Sequence, residues 1–323
     1  MIPHRVVHIG SYFQGKNDIV QLMANRLEKM SKITVFCFDP EIYGKNKEKN
    51  VIAEGNVNWL RDDVIENVLS RFPADTIICN AGGLSPSPEM HKKLSLRGIQ
   101  RIGIALSDPD DFTTRSKYFS SLFDRFYTNA EETIPKYRAI GVQADLLPFA
   151  ADPEFHIPMG IATKYEIVVV GANRPERTKM AKSLRHNKIR VGCFGRGWRS
   201  KLFEKIGFST EVHGEAQVRA INSARLYLSF AETKAGFTNV KVGVFEAAAC
   251  ERCVLVKSFS EMNRYFEPGK EIVTFTDEND AIRIIKDLSV NWQKAMEIGK
   301  NARKKILSHH CWEHRWEKVL GIK

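Results

Sequence analysis

Short apolar runs recur along the chain at residues 6–9, 33–38, 76–79 and 101–106, and again at 165–170, 189–194, 226–230 and 253–256. Each closes on glycine, asparagine, aspartate or another polar loop. Most are followed by a stretch with helical spacing, as at 19–29, 60–72, 178–185 and 216–224. Runs that are apolar throughout, rather than alternating, belong to strands buried on both faces, which is the condition of a parallel sheet covered by helices. Right-handed crossovers then make an α/β, doubly wound arrangement. The rhythm breaks once. Between Pro148 and Gly160 the prolines 148, 153 and 158 punctuate an extended segment, and beyond it the strand–helix alternation starts afresh. Two Rossmann-like α/β domains facing across a cleft are therefore expected, spanning residues 1–155 and 156–307, with 308–323 as a tail helix.

The length of 323 residues and the 43% hydrophobic content suffice for two cores. No run of 18 or more apolar residues occurs, and the first residues lead straight into a strand, so neither a membrane span nor a signal peptide is expected. The six cysteines lie mostly in apolar contexts, which suits reduced thiols in a cytoplasmic protein. Cys250 and Cys253 form a C-x-x-C with no second pair, and His309, His310 and His314 lack supporting carboxylates. No metal site is expected from either. The net charge of +11 is unevenly distributed. Residues 1–158 hold 19 Lys+Arg against 20 Asp+Glu, whereas 159–323 hold 30 against 18. An anionic ligand or polyanionic partner is therefore expected on the C-terminal half.

The loops at strand ends carry the chemistry. Gly10 and Gly15 flank the first one, but their spacing does not match G-x-G-x-x-G, which argues against a dinucleotide site there. Asp108 and Asp111 stand where the 101–106 strand ends. They are candidates for a general base, with capping of a helix at 113–121 as the plainer role; His8 is a further candidate base. Arg174 and Arg177 follow the 165–170 strand. Gly195, Arg196, Gly197 and Trp198 follow the 189–194 strand and combine a free backbone with a cation and an aromatic ring. Finally, Lys241 and Glu246 open the short apolar helix of residues 244–250. There the unpaired N–H groups of a helix start would favour an anion, and an acceptor-only carboxylate would hold two sugar hydroxyls.

These stretches stand in the order found in the CgeB-like, spore-maturation branch of GT-B glycosyltransferases, which the C-terminal half resembles. The matching segments are Val169–Gly171 with Arg174 and Arg177, Phe194–Trp198, Lys241–Cys250, Tyr265–Ile272 and the His309–Arg315 tail, preceded by Pro148–Pro153. The resemblance covers residues 145–317. It implies a nucleotide-sugar donor, most naturally a UDP-sugar, held by the C-terminal domain, an acceptor on the N-terminal domain, and no obligatory metal. By position, Glu246 would hold the donor ribose, Lys241 and Arg196 the diphosphate, and Trp198 and His213 the surroundings of the base. Gly195 and Gly197 would keep their loop low. Arg174 lies in a matching segment, and Gly15, whose backbone could approach a ligand closely, and Asn239 are further donor-binding candidates. Two departures stand out: Thr238 occupies the position of a frequent second glutamate, and Glu251 that of a glycine. The expected activity is hexosyl or pentosyl transfer to a hydroxyl, with modified DNA among the acceptors left open by the basic half. The alternatives are an inactive nucleotide- or polyanion-binding module and a nucleotide-sugar epimerase.

Overall fold

In the computed structural model, residues 5–12, 18–31, 33–40, 50–80, 84–199, 210–233 and 236–322 are described. Gly15 lies outside them. The chain divides into two units. Unit 1 comprises Met1–Pro148, Thr233–Phe237 and Trp312–Lys323; unit 2 comprises Phe149–Glu232 and Thr238–Cys311.

Unit 1 is built on a parallel sheet of β1 (Arg5–Gly10), β2 (Thr34–Phe38), β5 (Thr76–Asn80), β7 (Gln100–Ala105), β8 (Arg125–Thr128) and β9 (Ala144–Leu146). Their spatial order is β2-β1-β5-β7-β8-β9. Val7, Ile9, Ile77 and Cys79 face one core with Val68, Leu69, Met90 and Leu94, contributed by the helices Asp62–Arg71 and Pro88–Leu96. Asp18 caps the helix Ile19–Glu28, accepting from the Gln21 N–H at 3.0 Å. The chain's last helix, Trp312–Leu320, packs into this unit. Trp316 is fully buried there and its indole N–H donates to the Met23 carbonyl at 2.8 Å.

A second, three-stranded sheet in unit 1 was not foreseen. Residues 45–55 read as a polar loop, yet β3 (Val51–Glu54) and β4 (Val57–Leu60) form an antiparallel hairpin, and β6 (Leu84–Pro86) adds to it in parallel. The turn is Gly55-Asn56, with Gly55 at φ +57°, a two-residue hairpin signal set between β-favouring residues. The segment 113–121, expected to be a helix, instead forms two 3-10 turns, Ser116–Tyr118 and Ser120–Leu122. Phe112 and Phe119 there turn inward to join Phe126 and Tyr137 in an aromatic cluster.

Unit 2 holds a parallel sheet of β10 (Tyr165–Val170), β11 (Val191–Phe194), β12 (Ala224–Ser229), β13 (Cys253–Lys257) and β14 (Val273–Phe275). Their order is β11-β10-β12-β13-β14. Ile167, Val169, Leu226, Leu228 and Leu255 pack on one face against helix residues such as Leu184, Ile285 and Ile298. In both units the winding direction reverses beside the first strand. Ligands in open α/β sheets lie outside the strands' carboxyl ends at such reversals.

Candidate functional site

In unit 2 the reversal falls between β10 and β12. A cavity of about 470 Å³ opens there, at the carboxyl ends of both strands. Its walls bring together Arg174, Gly195, Arg196 and His213 from three separate loops, and Lys241 and Glu246 from the start and interior of the helix Val242–Ala249. Gly171, Arg177, Gln217 and Tyr227 line it as well. Two helices begin at its rim, Pro175–His186 after Arg174 and Val242–Ala249 after Lys241, and neither N-cap side chain bonds to its own helix. The first-turn N–H groups and the helix dipoles thus add to the charge of the Arg and Lys side chains. Four cationic side chains, Arg174, Arg177, Arg196 and Lys241, face two carboxylates, Glu211 and Glu246. The site is built for an anion.

The backbone here leaves no room for side chains. Gly195 sits at φ +126°, and a Cβ on it would lie 2.3 Å from the Gly171 carbonyl oxygen. Gly195 is clamped further by Thr210, which accepts the Gly195 N–H at 2.7 Å and donates its hydroxyl to the Gly195 carbonyl at 2.8 Å. Trp198 does not line the cavity. Its indole N–H donates to the Gly171 carbonyl at 2.9 Å and its ring packs against the unit 2 core, so it fixes the Gly171–Gly195 contact from behind. Gly197 accepts from the Asn173 amide at 3.0 Å, and the Asn239 side chain accepts from the Lys241 ammonium. Gly197 and Asn239 therefore support the lining residues.

Glu246 is only 6% exposed. The Gln217 amide donates to it at 2.9 Å, and His156 Nε2 stands 3.6 Å from its other oxygen. Burial raises its pKa from 4.5 to about 7, while burial lowers that of His156 to about 4. Burial thus drives both groups toward their neutral forms. Neither Gln217 nor His156 was singled out in the sequence. Gln217 lies in the first turn of the helix Glu215–Asn222, where a polar residue carries no special signal, and His156 belongs to the proline-rich connector.

A stability trend follows from Glu246. A carboxyl whose folded pKa is raised stabilises the fold fully below its unfolded pKa of 4.5, and that contribution is lost as pH rises through about 7. The shift corresponds to about 3 kcal/mol. His156 acts oppositely, losing stability as pH falls through about 4. Comparing urea denaturation of the wild type with Glu246→Gln, which keeps His156, isolates the first trend. The variant is expected to gain stability on the wild type between pH 5 and 8.

The three acid–base candidates in unit 1 occupy different surroundings. His8 is fully buried, with Nδ1 2.6 Å from the Tyr12 hydroxyl and its ring edge-on to Trp316; burial lowers its pKa to about 3. Asp108 is 2% exposed and accepts from the hydroxyls of Ser116 at 2.9 Å, Thr128 at 2.8 Å and Tyr137 at 2.6 Å. Its pKa is nevertheless raised, because burial outweighs those donors. Tyr137→Phe should cost about 1–3 kcal/mol by leaving that carboxylate short of a donor, measurable by urea denaturation. Asp111 is half-buried, its carboxylate 3.6 Å from Arg115.

Thr238 bridges Glu232 and lines a neighbouring cavity of about 550 Å³ rather than the one holding Glu246. Glu251 takes φ +58° just past the helix Val242–Ala249, a conformation that costs little only for glycine. Among the described residues, no group of three or more His, Cys, Asp or Glu could hold a metal ion, and no helix is long and apolar enough to cross a membrane.

Comparison with known proteins identifies the fold. Residues 174–321 match a family model described as glycosyl transferase-like. Solved structures match the whole chain. Sucrose-phosphate synthase from Thermosynechococcus elongatus superposes with a TM-score of 0.60 at 13% identity, covering 98% of this chain and 97% of that one. A glycosyltransferase from Rickettsia africae gives 0.61 at 10% identity, with 98% and 97% covered. The fold is GT-B. Anabaena HepE, solved with UDP, gives 0.60 at 10% identity with 98% of each chain covered, and it has also been solved with UDP-glucose. No curated protein matches the sequence. Within the GT-B framework, the family-model match begins at Arg174 and takes in all of the cavity lining that lies C-terminal to it.

Proposed function

We propose that this GT-B protein is a cytoplasmic glycosyltransferase of the CgeB-like branch that moves a hexosyl or pentosyl unit from a UDP-sugar to an acceptor hydroxyl. One observation carries the reading. A single cavity at the unit 2 reversal joins a cluster of cations to one buried carboxylate, Glu246. A nucleoside diphosphate has the matching parts, an anionic diphosphate and a neighbouring diol. Arg174, Arg196, Lys241 and the start of the helix Val242–Ala249 would bind the diphosphate and stabilise the charge that grows on it as the glycosidic bond breaks. Glu246, steadied by Gln217, would accept two ribose hydroxyls. The UDP found with HepE supports uridine as the base. Asp111, half-buried and with an Arg115 partner, is the proposed acceptor-side base, while His8 and Asp108, which are buried, act as scaffold. An inverting transfer needs that base; a retaining one uses the leaving phosphate.

The test is turnover. Purified protein incubated with UDP-glucose, UDP-galactose and UDP-N-acetylglucosamine should release UDP steadily only when an acceptor hydroxyl is supplied. Sugar epimerised without an acceptor would point to an epimerase. No turnover with any acceptor, from protein that binds UDP, would point to an inactive binding module.

A further inference from the structure

Unit 1 carries an open groove of about 1130 Å³ whose chemistry differs from that of the unit 2 cavity. The helices Asp62–Arg71 and Pro88–Leu96 lead directly into β5 and β7, so their N-terminal ends lie at the carboxyl edge of the unit 1 sheet. Residues of both helix starts line the groove, together with the β3–β4 hairpin and Tyr118. Trp59 is held from two sides. Its ring packs on the aromatic cluster of Phe112, Phe119 and Phe126, and its indole N–H donates to Glu54 at 2.8 Å. The polar handle is thereby used, and the rest of the ring is a fixed apolar surface. Tyr118, 47% exposed, hydrogen-bonds to Asn56 at the hairpin tip, and Ile52, 55% exposed, lines the same groove.

Carboxylates dominate the charged lining. Glu54, Asp62, Asp63 and Glu89 stand against two cations, Arg61, which lines the groove and is bound to Asp63 at 3.0 Å, and Lys93, which reaches Asp62 at 3.2 Å. The first-turn acids Asp62, Asp63 and Glu89 also match the dipoles of their own helices, so neither helix start calls for an anion. A phosphate backbone would meet repulsion here. Carboxylates accept and never donate, so the fitting ligand is rich in hydroxyl donors and has apolar faces for the rings. Its length should exceed one unit, because the groove is larger than the roughly 300–1,000 Å³ of small-molecule pockets. We infer that this groove binds an uncharged saccharide chain. Resting on the transfer activity proposed above, it would hold the acceptor, which makes a glycan, not DNA, the substrate.

The experiment presents labelled full-length protein, without donor, to an array of neutral, amino and anionic glycans. Isothermal titration with the best-retained neutral oligosaccharide follows. Retention of a neutral glycan, binding at least tenfold weaker in Tyr118→Ala and Trp59→Ala, and no competition from duplex DNA are expected. Tyr118 is exposed enough for its variant to fold, and cooperative melting checks both variants. Retention of anionic glycans alone, capture of no glycan, or affinity unmoved in both variants would overturn the assignment. UDP titration of the same protein separates the two readings. UDP binding without glycan binding sinks only the groove, and glycan binding without UDP binding sinks only the donor site.

Discussion

Gly195→Ala is expected to destabilise the protein by about 3 kcal/mol or more, since backbone strain of this kind costs 1–3 kcal/mol and a backbone clash adds to it. The added Cβ would stand 2.3 Å from the Gly171 oxygen and 2.5 Å from its carbonyl carbon, in a residue already at φ +126°. Neither partner can yield easily. Gly171 is tied by its own N–H to Phe194 at 2.8 Å and by its carbonyl to Trp198, and Gly195 is tied on both sides to Thr210. Relief therefore requires the β10 and β11 loops to part, which removes Arg174 and Arg196 from their shared wall. Urea denaturation should show the loss of stability, and nucleotide binding should disappear even under conditions where the variant remains folded.

Glu246→Gln should separate stability from binding. At pH 8 the variant is expected to be more stable than the wild type, because a buried carboxyl with a pKa near 7 is held ionised against desolvation. Its affinity for UDP should nonetheless fall by about 100-fold or more, since hydrogen bonds to a charged group are worth roughly 1.5–3 kcal/mol each and a diol makes two. A residue that weakens the fold yet is needed for binding is one placed for a ligand. The wild-type affinity should also decline as pH drops below about 7, because the ribose hydroxyls favour the ionised form.

Much of this site could be read in the chain because each contribution sits at the end of an apolar run. Gly195-Arg196 and Lys241…Glu246 follow strand-like or loop segments that any parallel sheet would deliver to one edge. The direction in which a side chain turns was not readable. Trp198 has the look of an exposed stacking surface, but the Gly171 carbonyl needs a donor and the core beside it takes the ring. Asp108 looks like an open carboxylate until Tyr137, Thr128 and Ser116, up to 29 residues away, converge on it. The β3–β4 hairpin was hidden because Glu54, Gly55, Asn56 and Asn58 make its sequence polar, and its buried residues Val57 and Leu60, three apart, turn to opposite faces and show no period-two pattern. His156 reaches Glu246 across 90 residues of chain, a pairing that no local pattern announces.

The central claim is that the unit 2 cavity holds a nucleoside diphosphate with Glu246 on its ribose. Isothermal titration of the full chain with UDP at pH 8, in wild type and Glu246→Gln, tests it most directly, with GDP, ADP and TDP as competitors. The account predicts one UDP site in the wild type, poorly displaced by the other nucleotides and weakened by about 100-fold or more in the variant, as the loss of two charged hydrogen bonds implies. Cooperatively folding wild-type protein that binds none of the four nucleotides, or UDP bound equally well by Glu246→Gln, would contradict it.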